Sequence, residues 1–409
     1  MCFSLSHRQY LLLFTLLSTA SANDQAQKPL QNLDSDCLPG PLIHDSIPTC
    51  LPSSSSQSSP FINPYCLSST PYCVFTSTQF RSASRGISII TSKTSSQNDP
   101  SSTSNNILPY ISSILTSNLS PPTSLPSTPP YELRKLKDKG YGLIATRKIP
   151  RGSVFMLDYA ILLADVELPR KMKMKQGREL LKEAFWRLPE PERVLGLARS
   201  SPTPEETPVE EDVMRTNSFN VEIEGRGFMG LFPDIARMNH ACKPSAITKF
   251  NSTDLSNAVT AFRDILPGEE ITISYTAHNL PSPSRRHRLL NQWGFSCTCS
   301  LCSLPPALLS ASDNRRTKID ELGPKVLKLV DKGDFENAIK LNKELLTLLK
   351  EEEMIPHLGD YYEVMGRLYL AWARTREAKK WFERALDEYR GFGVKGKGVE
   401  ELERVVKGL

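Results

Sequence analysis

Three cysteines within six residues, Cys297, Cys299 and Cys302 in the order CxCxxC, constrain this chain more than any other feature. Cysteines in such an odd triplet do not pair neatly into disulfides, whereas zinc takes thiolate ligands and wants four of them in a tetrahedron. A fourth ligand must therefore come from elsewhere. Cys242, in the segment RMNHACKPS at 237–245, is the remaining cysteine of the region that reads as folded, and His240 beside it is the alternative.

The rest of the chain divides by texture. A length of 409 residues exceeds one ordinary core and predicts two domains with additions. From 23 to 130 Ser, Thr, Pro and Asn dominate, so this stretch has too little apolar surface to offset its ordering entropy and is expected to be a disordered arm. Its cysteines, Cys37, Cys50, Cys66 and Cys73, lack metal-ligand spacing and are either disulfides or free thiols according to compartment. Residues 1–22 read as a signal peptide: His7 and Arg8, an apolar run at 10–17, then Ala20-Ser21-Ala22. That run is too short to span a bilayer and no later segment approaches the roughly twenty apolar residues required, so no transmembrane segment is expected. The net charge of +5 is small and spread out, which argues against direct nucleic-acid binding.

From about Gly140 onward, apolar runs bounded by Gly and Pro read as strands, at 142–146, 153–164, 246–250, 258–262 and 270–275. A helical insertion is expected over 176–199, followed by a Pro- and Glu-rich loop at 200–212. After the cysteine cluster the period becomes helical. Tyr362, Gly366, Tyr369, Ala378, Phe382 and Ala385 fall at the offsets of a tetratricopeptide helix pair. The expected architecture is thus a mostly β domain over 131–277, a zinc cap over 278–303 and an all-α, tetratricopeptide-like domain over 304–409.

Three blocks occur in a telling order: Gly140-Tyr141-Gly142, RMNHACKPS at 237–245, and GEEITISY at 268–275, before WGFSCTCSLC at 293–302. In this combination the chain resembles the SET-domain methyltransferases, and with its helical tail it is most similar to their SMYD-like branch and related fungal proteins. It departs from that branch in having no cysteine in the insertion 167–214, where a MYND zinc finger is usual, and in carrying Ala241 and Ser245 beside the Asn-His pair.

The resemblance implies S-adenosyl-L-methionine as methyl donor and a protein lysine as acceptor. It implies that Tyr275 lines the transfer point and that Asn239, His240 and the Gly140–Tyr141–Gly142 turn bind the donor. Phe295 would form a pocket wall, and zinc on Cys242, Cys297, Cys299 and Cys302 would fasten the cap. A lysine amine, mostly charged in water, becomes a nucleophile only when neutral, which a narrow apolar channel favours. A monomer is expected, with the tail available to a protein partner. Two alternatives stay open, a silent scaffold and a methyltransferase for a non-lysine side chain. Location is divided between the secretory path, to which the leader points, and the cytoplasm or nucleus, to which the chemistry points.

Overall fold

The apolar runs of the central region become short strands in a computed structural model that describes residues 59–82, 85–92, 107–117, 125–200, 204–392 and 397–409. Thirteen strands occur among the described residues: β1 (Tyr65–Cys66), β2 (Tyr72–Ser77), β3 (Ile87–Ser92), β4 (Tyr131–Leu136), β5 (Gly140–Ala145), β6 (Val154–Tyr159), β7 (Leu162–Asp165), β8 (Ser218–Ile223), β9 (Arg226–Leu231), β10 (Asn239–His240), β11 (Ala246–Asn251), β12 (Ser256–Ala261) and β13 (Glu270–Ile273). They form three sheets, ordered β1-β2-β3-β7-β9-β8, β10-β13-β5-β4 and β11-β12-β6.

The first sheet corrects the expected arm. Residues 23–58, with Cys37 and Cys50, lie outside the described residues, as does the leader-like segment. Residues 65–92, however, supply three strands, and β3 runs parallel to β7 with Ile89 opposite Leu163. The domain therefore begins well before 131. The cause is that the hydroxyls of this stretch are not solvated. Thr76 and Ser88 are buried and bonded to each other at 2.9 Å, while β-branched neighbours fill both faces. Tyr72, Val74 and Ile90 face one core; Phe75, Ile87 and Ile89 face another, where helix α1 (Ile107–Thr116) adds Ile107, Ile111 and Ile114. Cys66 and Cys73 stand opposite each other in the β1–β2 ladder and form a disulfide, which settles that pair.

The insertion packs on the same sheet. It opens with the short α2 (Leu168–Lys171) and α3 (Met174–Trp186), which is capped at Arg187, and continues as α4 (Pro191–Leu195) and α5 (Val209–Asn217). Leu180, Ala184 and Phe185 of α3 bury against Tyr72, Val74 and Ile90. The apolar stripe of α3 accounts for this placement.

Beyond β13 come α6 (Ser282–Trp293), then α7 (Pro306–Asp331), α8 (Phe335–Glu351), α9 (Leu358–Ala371), α10 (Thr375–Gly391) and α11 (Lys397–Gly408). Helices α9 and α10 pack closely because Gly366 offers no Cβ: one built there would overlap the Phe382 ring. The tail is fastened to the preceding part of the chain at two places, the His278 carbonyl and Arg151. Buried Arg316 of α7 bonds to Glu352 at 2.8 Å and to the His278 carbonyl, and Arg151 reaches Glu388 of α10 at 2.8 Å. No helix among the described residues is long and apolar enough to cross a membrane.

Candidate active site and metal centre

The Asn-His motif is placed by a parallel pairing of very short strands. In β10, Asn239 lies opposite Thr272 and His240 opposite Ile273 of β13, and β13 in turn pairs with β5, which starts at Gly140. Three blocks distant in sequence thus share one sheet. The turn that delivers β10 is held from behind: buried Asp158 accepts the backbone N–H groups of Asp234 and Ile235 at 2.7 and 3.1 Å and is ion-paired with Arg85. Burial pushes the Asp158 carboxyl up to about 6, with Asp234 adding repulsion and Arg85 opposing it.

Asn239 is fixed by two acceptors. Its Nδ2 donates to the Tyr141 carbonyl at 3.2 Å and to Glu270 Oε1 at 2.9 Å, which assigns the amide orientation and leaves Oδ1 as its acceptor. Glu270 is also held by Lys139 at 2.6 Å. Gly142 is required by this arrangement, since a Cβ there would stand 2.8 Å from Asn239 Nδ2 and 2.6 Å from Leu136 Cδ1. Gly140 has φ +73°, in the left-handed region, and among the described residues nothing lies within 4 Å of where its Cβ would be. Tyr141 is 53% exposed.

Tyr275 follows β13. Its backbone N–H donates to His240 Nδ1 at 3.0 Å, and its hydroxyl donates to the Met238 carbonyl at 2.8 Å. Desolvation, with the Glu270 charge second, raises the phenol well above its usual range, so it stays protonated at neutral pH. Because Nδ1 of His240 accepts, Nε2 carries the proton and points at Cys242 Sγ, 3.2 Å away. Burial lowers His240 to about 4, so the ring is neutral. Aromatic rings enclose the pair: Trp293 lies 5.2 Å and Phe295 6.5 Å from Tyr275, and Phe295 lies 6.2 Å from His240. Trp293 is anchored to the insertion through Nε1 to the Thr216 carbonyl at 2.9 Å.

The sulfur atoms of Cys242, Cys297, Cys299 and Cys302 all lie within 4.8 Å of one another. Cys242 Sγ is 3.6 Å from Cys302 Sγ and 3.9 Å from Cys297 Sγ. A zinc–sulfur bond of about 2.3 Å in a tetrahedron demands sulfur separations of about 3.8 Å. The donor set and spacing therefore fit a zinc ion. His240 is turned to the cluster as a hydrogen-bond partner of Cys242 rather than as a fifth donor. The hydrogen bond with Cys297 pushes Cys242 far above the thiol range, and the one with Cys242 pulls Cys299 far below it, a mutual dependence expected of four thiols crowded in one site.

Sequence reasoning named every residue of this constellation except its supports. Glu270, which orients Asn239, stood inside the quoted GEEITISY block, and only the spatial pairing of β10 with β13 reveals its task. Asp158 and Arg85 carry no motif at all.

The SET domain family matches residues 140–276, and this part of the chain is a SET domain. Relatives it matches include methyltransferases of the SMYD group. The chain is 37% identical over 114 residues to N-lysine methyltransferase SMYD2-B of Danio rerio, which is 27% of this chain and 26% of that protein. It is 34% identical over 108 residues to N-lysine methyltransferase SMYD2 of Gallus gallus, 26% and 23% of the two chains. It is 29% identical over 151 residues to Histone-lysine N-methyltransferase SMYD3 of Homo sapiens, 36% and 34%. The matches thus span about a quarter to a third of these relatives.

Proposed function

We propose that this protein transfers a methyl group from S-adenosyl-L-methionine to the ε-amine of a protein lysine. The observation that carries the proposal is the meeting of Asn239, His240 and Tyr275 on the β10–β13 pair, inside a SET domain whose relatives are named lysine methyltransferases. The residues fit the donor. Open space beside Gly140 and the exposed Tyr141 leave the backbone there accessible for close approach, and Asn239, with Nδ2 already engaged, would offer its Oδ1 as an acceptor to the donor's ammonium group. His240 would contribute through its backbone, since both ring nitrogens are engaged within the protein.

S-adenosyl-L-methionine, when bound, supplies an electrophilic methyl group on a sulfonium. Tyr275 remains a neutral phenol with its hydrogen directed at Met238, so its oxygen lone pairs are available to orient an incoming amine, and the residue is no general base. The rings of Trp293, Phe295 and Tyr275 make an apolar surround that disfavours an ammonium and favours the neutral amine. Positioning supplies the remainder of the rate. Zinc on Cys242, Cys297, Cys299 and Cys302 would hold the segment bearing Trp293 and Phe295 against Tyr275. The substrate is a protein lysine, and the helical tail is the surface for any further partner.

The test is isothermal titration of S-adenosyl-L-methionine into the zinc-loaded chain, with Asn239→Ala and Tyr275→Phe alongside, followed by transfer of labelled methyl to a lysine-rich protein mixture. Micromolar binding lost in Asn239→Ala, kept in Tyr275→Phe, and transfer lost in both supports the proposal. A folded, zinc-loaded wild type that binds no donor refutes it and leaves the scaffold reading.

A further inference from the structure

Arg285 of α6 is fully buried. Its Nη1 donates to the Leu280 carbonyl at 2.9 Å and to Asp313 Oδ1 of α7 at 3.2 Å. Its Nε and Nη2 are buried and make no hydrogen bond. Orphan donors on a buried cation are costly, so a fold that retains them calls for a partner. Arg285 stands at the edge of the cysteine cluster: its neighbour Arg286 donates to the Cys302 carbonyl at 2.6 Å, and Leu289, one helical turn further on, packs among Cys242, Cys297 and Cys302, which places the guanidinium within electrostatic reach of the sulfurs. Four thiolates around one Zn²⁺ leave a net charge of −2, in a cluster with three buried sulfur residues. A neutral thiol is a poor acceptor for these donors, but a zinc-bound thiolate is a good one.

We propose that Arg285 is the counter-ion of the four-cysteine metal centre and that its bond to Asp313 couples metal loading to the seating of the helical tail. The proposal rests on reading that cluster as a zinc site. The route is continuous: zinc charges the sulfurs, the sulfurs hold the guanidinium fork, and the guanidinium holds Asp313. Asp313 also accepts from the Ser282 backbone N–H at 2.7 Å and from the Ser282 hydroxyl, which clamps α7 to the start of α6. Arg285 is a positioning residue in this scheme, since it touches neither donor nor substrate.

The experiment uses the full chain loaded with zinc and measures the rate of zinc release to a chromogenic chelator, with hydrogen exchange of α7 read before and after release. Arg285→Gln is expected to speed release by about 10–100-fold, the usual range for loss of an outer-shell partner, and Arg285→Lys to speed it less. Leu289→Ala, which opens space in the same cluster without changing charge, is the control for general loosening. In the wild type, removing zinc should raise exchange in α7 near Asp313, and Asp313→Asn should abolish that response. Equal release from Arg285→Gln and wild type, or equal acceleration by Leu289→Ala, overturns the counter-ion role. Should Arg285→Gln fail to fold, Arg285→Lys and the wild-type exchange experiment still decide. Unchanged α7 exchange on zinc removal overturns the coupling, and a wild type that takes up no zinc overturns the metal reading and this proposal with it.

Discussion

His278, just after the SET domain, and His357, in the turn before α9, meet through Nδ1 and Nε2 at 2.9 Å, with rings 5.2 Å apart. One proton fits between them, and both rings are largely buried. Desolvation lowers His278 to about 3, with His357 and Arg316 adding repulsion, and desolvation lowers His357 to about 4. Both folded values lie below the unfolded value of about 6.5, so the pair contributes stability that is present above pH 6.5 and lost as pH falls. At pH 5 each unfolded histidine gains about 2 kcal/mol from protonation that the folded ring cannot take up, about 4 kcal/mol for the pair. That is a large share of a typical total of about 5–15 kcal/mol. The assay is urea unfolding at pH 8 and pH 5 for wild type and the double variant His278→Gln, His357→Gln. Asp158 and Asp360, raised to about 6 by burial, act in the opposite sense but are common to both proteins and cancel in the comparison. The wild type should lose about 4 kcal/mol more than the variant between the two pH values. Equal losses would refute the assignment of this acid sensitivity to the pair.

Further outcomes follow from the same geometry. Gly366→Ala should lower the thermal midpoint of the tail by forcing Phe382 from its site, at a cost of about 1–3 kcal/mol, read by calorimetry. Cys299→Ser should abolish stoichiometric zinc binding, measured by atomic absorption, and expose Trp293 to a fluorescence quencher as its anchored segment loosens. Reducing the Cys66–Cys73 disulfide removes a loop constraint between residues seven apart and should cost about 2 kcal/mol on the chain-entropy account, seen as a shift of the urea midpoint under reducing conditions.

Sequence exposed the chemistry far better than the scaffold. Cys297, Cys299 and Cys302 announce a metal because their spacing is local, and the Asn239-His240 and Tyr275 blocks are legible because short motifs tie residue type to role. Strand β2 was hidden for a physical reason: Thr76 and Ser77 count as polar in composition, yet in the sheet they are buried. The pairing of Ile89 with Leu163 joins segments far apart in the chain, and no local period encodes such a register. The Arg85–Asp158 ion pair was equally silent, although it braces the turn into Asn239.

The seam between β3 and β7 decides where this chain can be cut. A protein begun at Tyr131, as the composition alone would suggest, would leave Leu162, Leu163 and Ala164 of β7 with one unpaired ladder edge, although all three are fully buried in the intact fold. Bare apolar edges recruit other strands, so such a fragment should self-associate and fall out of solution, whereas one begun before Pro60 keeps its own lining.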